Sequence, residues 1–191
     1  MNQKNLLEVD WSKIPAPTDD GAAAHLVGMT IPPLSLRATD DTSVTLAALP
    51  GRVVVFAYPR TGEPGKISLV DDWDMIPGAR GCTPQTCSFR DLFAELKAAG
   101  ARQVFGLSTQ SNAYQTEMAS RLHLPFAVLS DARLALTRAL SLPTMEVAGL
   151  TLIKRLALVI DNARITQVFY PVFPPDRNAA DVLAWLKQNP V

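Results

Sequence analysis

Six apolar residues in succession, Val53-Val54-Val55-Phe56-Ala57-Tyr58, follow a turn at Pro50-Gly51 and stop at Pro59. β-Branched and aromatic side chains dominate the run, so it favours extended backbone. A strand with one wet face alternates polar and apolar residues; this one has no polar member, so both of its faces must be covered. That requirement points to a sheet with helices on either side, and the rest of the chain supplies them.

Phe89, Leu92, Phe93, Leu96 and Ala99 recur at three- and four-residue spacing before Gly100, which predicts a helix over 84–99 with Thr83 as N-cap and Pro84 in the first helical position. Strands are expected at 103–107 and 126–129, with a helix over 112–122 capped by Ser111 or Asn112 between them. A short helix over 132–140 precedes a loop or hairpin arm over 143–153. Two strands, 156–160 and 165–169, meet at a tight turn over 161–164, and 178–187 forms the last helix. The order β-α-β-α-β-α-β-β-α describes an α/β fold: a central mixed sheet with helices on both faces.

Upstream, 28–36 and 44–49 read as short strands or edge segments, the first interrupted by Pro32-Pro33. Residues 1–27 read as an extended arm laid over the domain at 28–191 by Leu6, Val9 and Trp11. The stretch 60–81, with Gly62, Pro64, Gly65, Pro77 and Gly78, is a long loop with one helical turn near 70–74, and Trp73 in it is a lid, an anchor or a residue packed on the surface. The apolar, proline-stiffened segment 170–175 is expected to cover a sheet edge rather than to form an interface patch.

Eighteen basic residues balance eighteen acidic ones, and 48% of the chain is hydrophobic. Such a composition describes one soluble globular domain and argues against nucleic acid or an anionic membrane as partner. No apolar run approaches a membrane span, and the polar start Met1-Asn2-Gln3-Lys4-Asn5 lacks a secretory h-region, so a cytoplasmic protein is expected, monomeric or a weak homodimer. His25 and His123 have no second ligand at metal spacing and no hydrolase context; neither a metal nor another cofactor is called for.

The chemistry is concentrated in Gly81-Cys82-Thr83-Pro84-Gln85-Thr86-Cys87, which holds the only two cysteines. A disulfide closing so short a loop would be a poor staple, and a chain this long can bury a core without one. Redox chemistry is therefore preferred to a structural bridge, with two inert core cysteines as the other reading. On a helix, a five-residue step separates Cα atoms by about 8–9 Å, beyond the reach of a disulfide. The pair can close only if the helix start unwinds. Cys82, at the helix N-terminus, is placed where unpaired N–H groups favour a thiolate, with Arg80 or another cation brought by the fold to assist. Cys87 lies a turn deeper and looks shielded. Position makes Cys82 the nucleophile and Cys87 the resolving thiol, and leaves the reverse order open. Arg90 and Asp91 read as a structural pair.

Taken together, Tyr58-Pro59, the run Gly81-Cys82-Thr83-x-x-x-Cys87-x-Phe89-Arg90-Asp91, and Lys154-Arg155-Leu156-Ala157-Leu158-Val159-Ile160-Asp161 resemble the peroxiredoxins, in particular the peroxiredoxin Q or bacterioferritin-comigratory-protein class. The resemblance covers most of 28–188. It implies a thioredoxin fold and reduction of hydrogen peroxide and organic hydroperoxides, with thioredoxin or a similar dithiol protein as reductant. It makes Cys82 peroxidatic and Cys87 resolving, Arg155 the arginine that holds the peroxide, and Pro59 the proline shielding the pocket. The chain departs from the family's P-x-x-x-T-x-x-C motif: a long insertion separates Pro59 from Cys82, and Ala79 stands where the motif threonine would. Thr61, returned by the inserted loop, or Thr83 is expected to supply the hydroxyl. A disulfide oxidoreductase or redox sensor would use the same cysteines without peroxide specificity, and a thioredoxin-fold binding module would have lost catalysis.

Overall fold

The structure is a computed structural model and describes residues 9–191; the expectation for Leu6 lies outside them. Its seven-stranded sheet runs in the order β2-β1-β5-β4-β3-β8-β9. The apolar run forms β3 (Arg52–Ala57), buried along its whole length. It sits beside β4 (Gln103–Ser108), to which it is parallel, and β8 (Leu156–Asp161), to which it is antiparallel. The parallel run continues into β5 (Val128–Ser130), which pairs antiparallel with β1 (Ser35–Ala38) and through it with β2 (Ser43–Thr45). On the other side β9 (Arg164–Phe169) closes the sheet against β8 through the expected tight turn. The mixed α/β architecture stands as read.

Each face of the sheet carries its own core. On one, α1 (Cys82–Asp91), α2 (Phe93–Ala98), α3 (Asn112–Arg121) and α5 (Asn178–Gln188) pack Phe89, Leu96, Met118 and Leu186 against Val54 and Phe56. Phe56 and Phe89 stack with ring centroids 4.1 Å apart. On the other, Leu136 and Leu140 of α4 (Ala135–Leu140) join Leu26, Ile31 and Leu46 over Val53 and Val55. Alternate residues of β3 thus feed opposite cores, which is what its unbroken apolar sequence demanded.

Several boundaries differ from expectation for identifiable reasons. The 84–99 helix is two segments bent at Leu92, although Leu92 N and Leu96 N still donate to the carbonyls of Ser88 and Leu92. The helix expected from 132 starts at Ala135, because the buried Asp131 carboxylate accepts from Leu136 N and Thr137 N and holds 131–134 as a turn. The 143–153 arm is a hairpin of β6 (Thr144–Val147) and β7 (Leu150–Ile153). Trp73 is an anchor rather than a lid: it is buried with Ala79, Val147 and Leu152, docking the 60–81 loop on that hairpin. Segment 170–175 reaches the start of α1, where Pro175 stands against Gly81 and Phe173 against Trp11.

Candidate active site

Helix α1 begins at Cys82 because Gly81 takes a left-handed conformation, φ 101°, that turns the chain into the helix. The first helical bond runs from Gln85 N to the Gly81 carbonyl at 3.0 Å. Thr83 is therefore not the cap, nor Pro84 the first helical residue; they are the second and third residues of α1. The glycine reverses the chain earlier than an N-cap threonine would have done. Pro84 is still tolerated, since its missing N–H falls among the first four, which have no helical partner.

The sulfur of Cys82 faces Arg155, the residue that leads into β8. Nη2 of Arg155 donates to Cys82 Sγ at 3.3 Å and shares its remaining hydrogen-bonding capacity among the carbonyls of Gly78, Ala79 and Arg80, at 3.2, 3.2 and 3.0 Å. Its Nη1 donates to Gln85 Oε1, and Gln85 Nε2 donates to Asn178 Oδ1 at 2.9 Å. Cys82 is 3% exposed and Arg155 2%. This buried cation is held by carbonyl dipoles, an amide and a sulfur, with no carboxylate among the groups it bonds. A guanidinium so enclosed needs an anion to offset its desolvation, and the site offers the sulfur or a substrate oxygen for that purpose. Arg80, the nearby cation expected to assist the thiolate, directs its guanidinium to Asp74 at 3.4 Å.

Cys87 lies on the same helix, buried against Phe89 and its neighbours. Burial pushes its thiol above the ordinary range; Arg90 pulls it back less strongly, Asp91 adds to the rise, and Arg121 opposes it. Both cysteines are free thiols. Arg90 pairs with Asp91 at 2.8 Å and also donates to the Leu122 carbonyl at 3.0 Å, tying α1 to the end of α3. Pro59 is buried at the exit of β3, and its carbonyl accepts from Ser108. Thr61 is not returned to the sulfur: its amide and hydroxyl both donate to Gln110 Oε1, at 2.9 and 3.1 Å. Thr83 is buried beside Cys82 in the first turn. Gln85 and Asn178 were not singled out from sequence. Gln85 was legible in part, because a polar residue three positions after Cys82 shares its helical face; the remote Asn178 carried no signal. Among the described residues, no three His, Cys, Asp or Glu side chains gather as a metal site would need.

Comparison with known proteins gives the family. The redoxin family model matches residues 26–183. Peroxiredoxin Q, chloroplastic, of Sedum lineare is 31% identical over 162 residues, covering 84% of this chain and 77% of its own. The chain belongs to the peroxiredoxins, in the peroxiredoxin Q class. Peroxiredoxin Q of Oryza sativa subsp. japonica is 32% identical over 162 residues, 84% of this chain and 66% of its own. Among solved structures, peroxidoxin BcpB from Mycobacterium tuberculosis superposes with a TM-score of 0.69 at 26% identity, over 86% of this chain and 98% of that one. Peroxiredoxin Q of Xanthomonas campestris gives 0.65 at 25% identity, over 82% and 90%. This peroxiredoxin therefore has the thioredoxin fold and is a thiol peroxidase.

Proposed function

We propose that this peroxiredoxin reduces hydrogen peroxide and organic hydroperoxides at Cys82, and that Cys87 resolves the oxidised sulfur as an intramolecular disulfide reopened by thioredoxin or a similar dithiol protein. The observation that carries the assignment is the buried Arg155 guanidinium, which donates to Cys82 Sγ at 3.3 Å and bonds no carboxylate. Deprotonated Cys82 attacks one peroxide oxygen; the S–O bond forms as the O–O bond breaks. The departing oxygen leaves with the electron pair and takes a proton from solvent, and the sulfur becomes a sulfenic acid. Arg155 and the first N–H groups of α1 stabilise the charge on that oxygen. On this reading the buried Pro59 and Thr83 wall the peroxide pocket.

The second step needs movement. With both cysteines on α1, their Cα atoms stand about 8–9 Å apart, so the first turn must melt before the sulfurs meet. Melting releases the Gln85–Asn178 hydrogen bond and the packing of Gly81 on Trp11 and Pro175. Cys87 then attacks the sulfenic sulfur and water leaves; exchange with an external dithiol restores both thiols. In the experiment that tests this, each single-cysteine variant is given one equivalent of peroxide and a sulfenic-acid probe. Cys87→Ser should accumulate the labelled sulfenic acid at Cys82, and Cys82→Ser should consume no peroxide. Full peroxide consumption by Cys82→Ser would overturn the assignment.

A further inference from the structure

Ala79 removes the hydroxyl that the peroxiredoxin motif would place near the sulfur, and the Thr61 hydroxyl is engaged by Gln110. Another hydroxyl lies beneath the same site. The β3–β8 register pairs Ala57 with Leu156, and one further step sets Tyr58 opposite Arg155. Residues opposed on antiparallel strands project from the same face of the sheet. For Tyr58 that is the face it shares with Val54, Phe56, Cys82 and Cys87.

The Tyr58 side chain is 0% exposed, yet its hydroxyl has no hydrogen-bond partner among the described residues, and the same is true of Arg155 Nε. Buried polar groups are almost always paired, so two unpaired ones at the adjoining ends of β3 and β8 call for an explanation. Arg155 donates to the Cys82 sulfur, where a peroxide oxygen has to arrive, and Tyr58 belongs to the core cluster that holds the same sulfur. The phenol is also close enough to feel charge on Cys82: after burial, that charge is the second cause holding its pKa well above the ordinary tyrosine value. Tyr58 thus remains a protonated donor while the sulfur is an anion.

We infer that Tyr58 is a further catalytic residue, whose hydroxyl donates a hydrogen bond to the peroxide oxygen held between Cys82 and Arg155 and so takes over the task of the missing motif threonine. The inference rests on Cys82 being the sulfur that meets peroxide. Tyr58 keeps its proton throughout. The sulfur supplies the electron pair, the O–O bond breaks, and the departing oxygen is protonated by solvent; the phenol only stabilises charge on oxygen as the bond stretches.

Tyr58→Phe tests this, because it keeps the ring and its packing against Phe56 and deletes one atom. The second-order rate of Cys82 oxidation by hydrogen peroxide is measured beside the rate of Cys82 alkylation by iodoacetamide, which needs the thiolate but no oxygen donor. The peroxide rate should fall at least tenfold, towards the roughly hundredfold worth of one transition-state donor. Alkylation and its pH profile should not change. Thermal stability should hold or rise, since the lost hydroxyl had no partner. An unchanged peroxide rate, an equal loss in alkylation, or a lower melting temperature would each overturn the role. Failure of the underlying reading shows separately, as peroxide consumption surviving in Cys82→Ser with Tyr58 intact.

Discussion

The indole of Trp11 occupies the space that a side chain at Gly81 would need. A β-carbon on residue 81 would stand 2.6 Å from Trp11 Cη2 and 2.7 Å from Pro175 Cγ. The indole is held there by its Nε1, which donates to Asp176 Oδ2 at 2.8 Å, and by an edge-on contact with Phe173 at 6.0 Å. A segment far upstream and one far downstream therefore close together over the residue that starts the reactive helix. Gly81→Ala should suffer twice, from a left-handed backbone that costs an L-residue about 1–2 kcal/mol and from displacement of the indole. For a chain this size, each kcal/mol lowers the melting temperature by about 2–4 °C. Thermal unfolding of Gly81→Ala should show a drop of several degrees, and wild-type stability would mean that the contact is not maintained in solution.

Trp11 packs on the turn that, in the proposed mechanism, melts for Cys82 to reach Cys87, and so it stabilises the helical form against the melted one. Trp11→Ala should speed disulfide formation after peroxide has reacted, while the initial oxidation of Cys82 keeps its rate. Stopped-flow mixing resolves the two phases, provided the signal comes from quenched thiol labelling and not from the removed indole. Disulfide formation at the wild-type rate would show that the indole remains docked in both redox forms.

Much of this arrangement was legible from the residues, and the exceptions share a cause. Val53–Tyr58 gave the central strand because burial on two faces leaves no alternative to an unbroken apolar run, and Gly100 marked the helix end because φ 104° there suits only glycine. Cys82 at the head of a helix followed from local spacing. Helix starts set by distant contacts were not legible: Gly81 displaced Thr83 as the cap because Trp11 and Pro175 leave room for no side chain there. The same holds for Asn178, which reaches Arg155 only through Gln85. Nor could the pattern tell that segment 170–175 would fold onto the mouth of α1, since proline-stiffened apolar segments look alike whichever surface they cover.

Cys87 contributes one part of the pH dependence of stability. Burial penalises its thiolate, so the folded protein keeps that proton at a higher pH than the unfolded chain does. Stability from this source is fully present below the ordinary thiol range and is lost as pH rises from there towards the folded value. Denaturant unfolding of the reduced protein should show a decline over that alkaline window, and Cys87→Ala should flatten the decline. A slope unaffected by Cys87→Ala would assign the loss to other groups.

Arg155 makes the sharpest demand on side-chain shape. Lysine would keep the charge, but one ammonium cannot at once reach Cys82 Sγ, Gln85 and the carbonyls of Gly78, Ala79 and Arg80 as the planar fork does. Loss of an oriented donor to the transition state typically costs about 10²–10³ in rate. Arg155→Lys should therefore lower kcat/KM for peroxide on that scale, with Arg155→Met lower still because the charge is gone as well. The two variants separate charge from geometry when their peroxide rates are compared with their iodoacetamide alkylation rates at the same pH. If Arg155→Lys retained wild-type kcat/KM, positive charge alone would suffice, and the hydrogen-bonded fork between the loop, α1 and the sulfur would be structural.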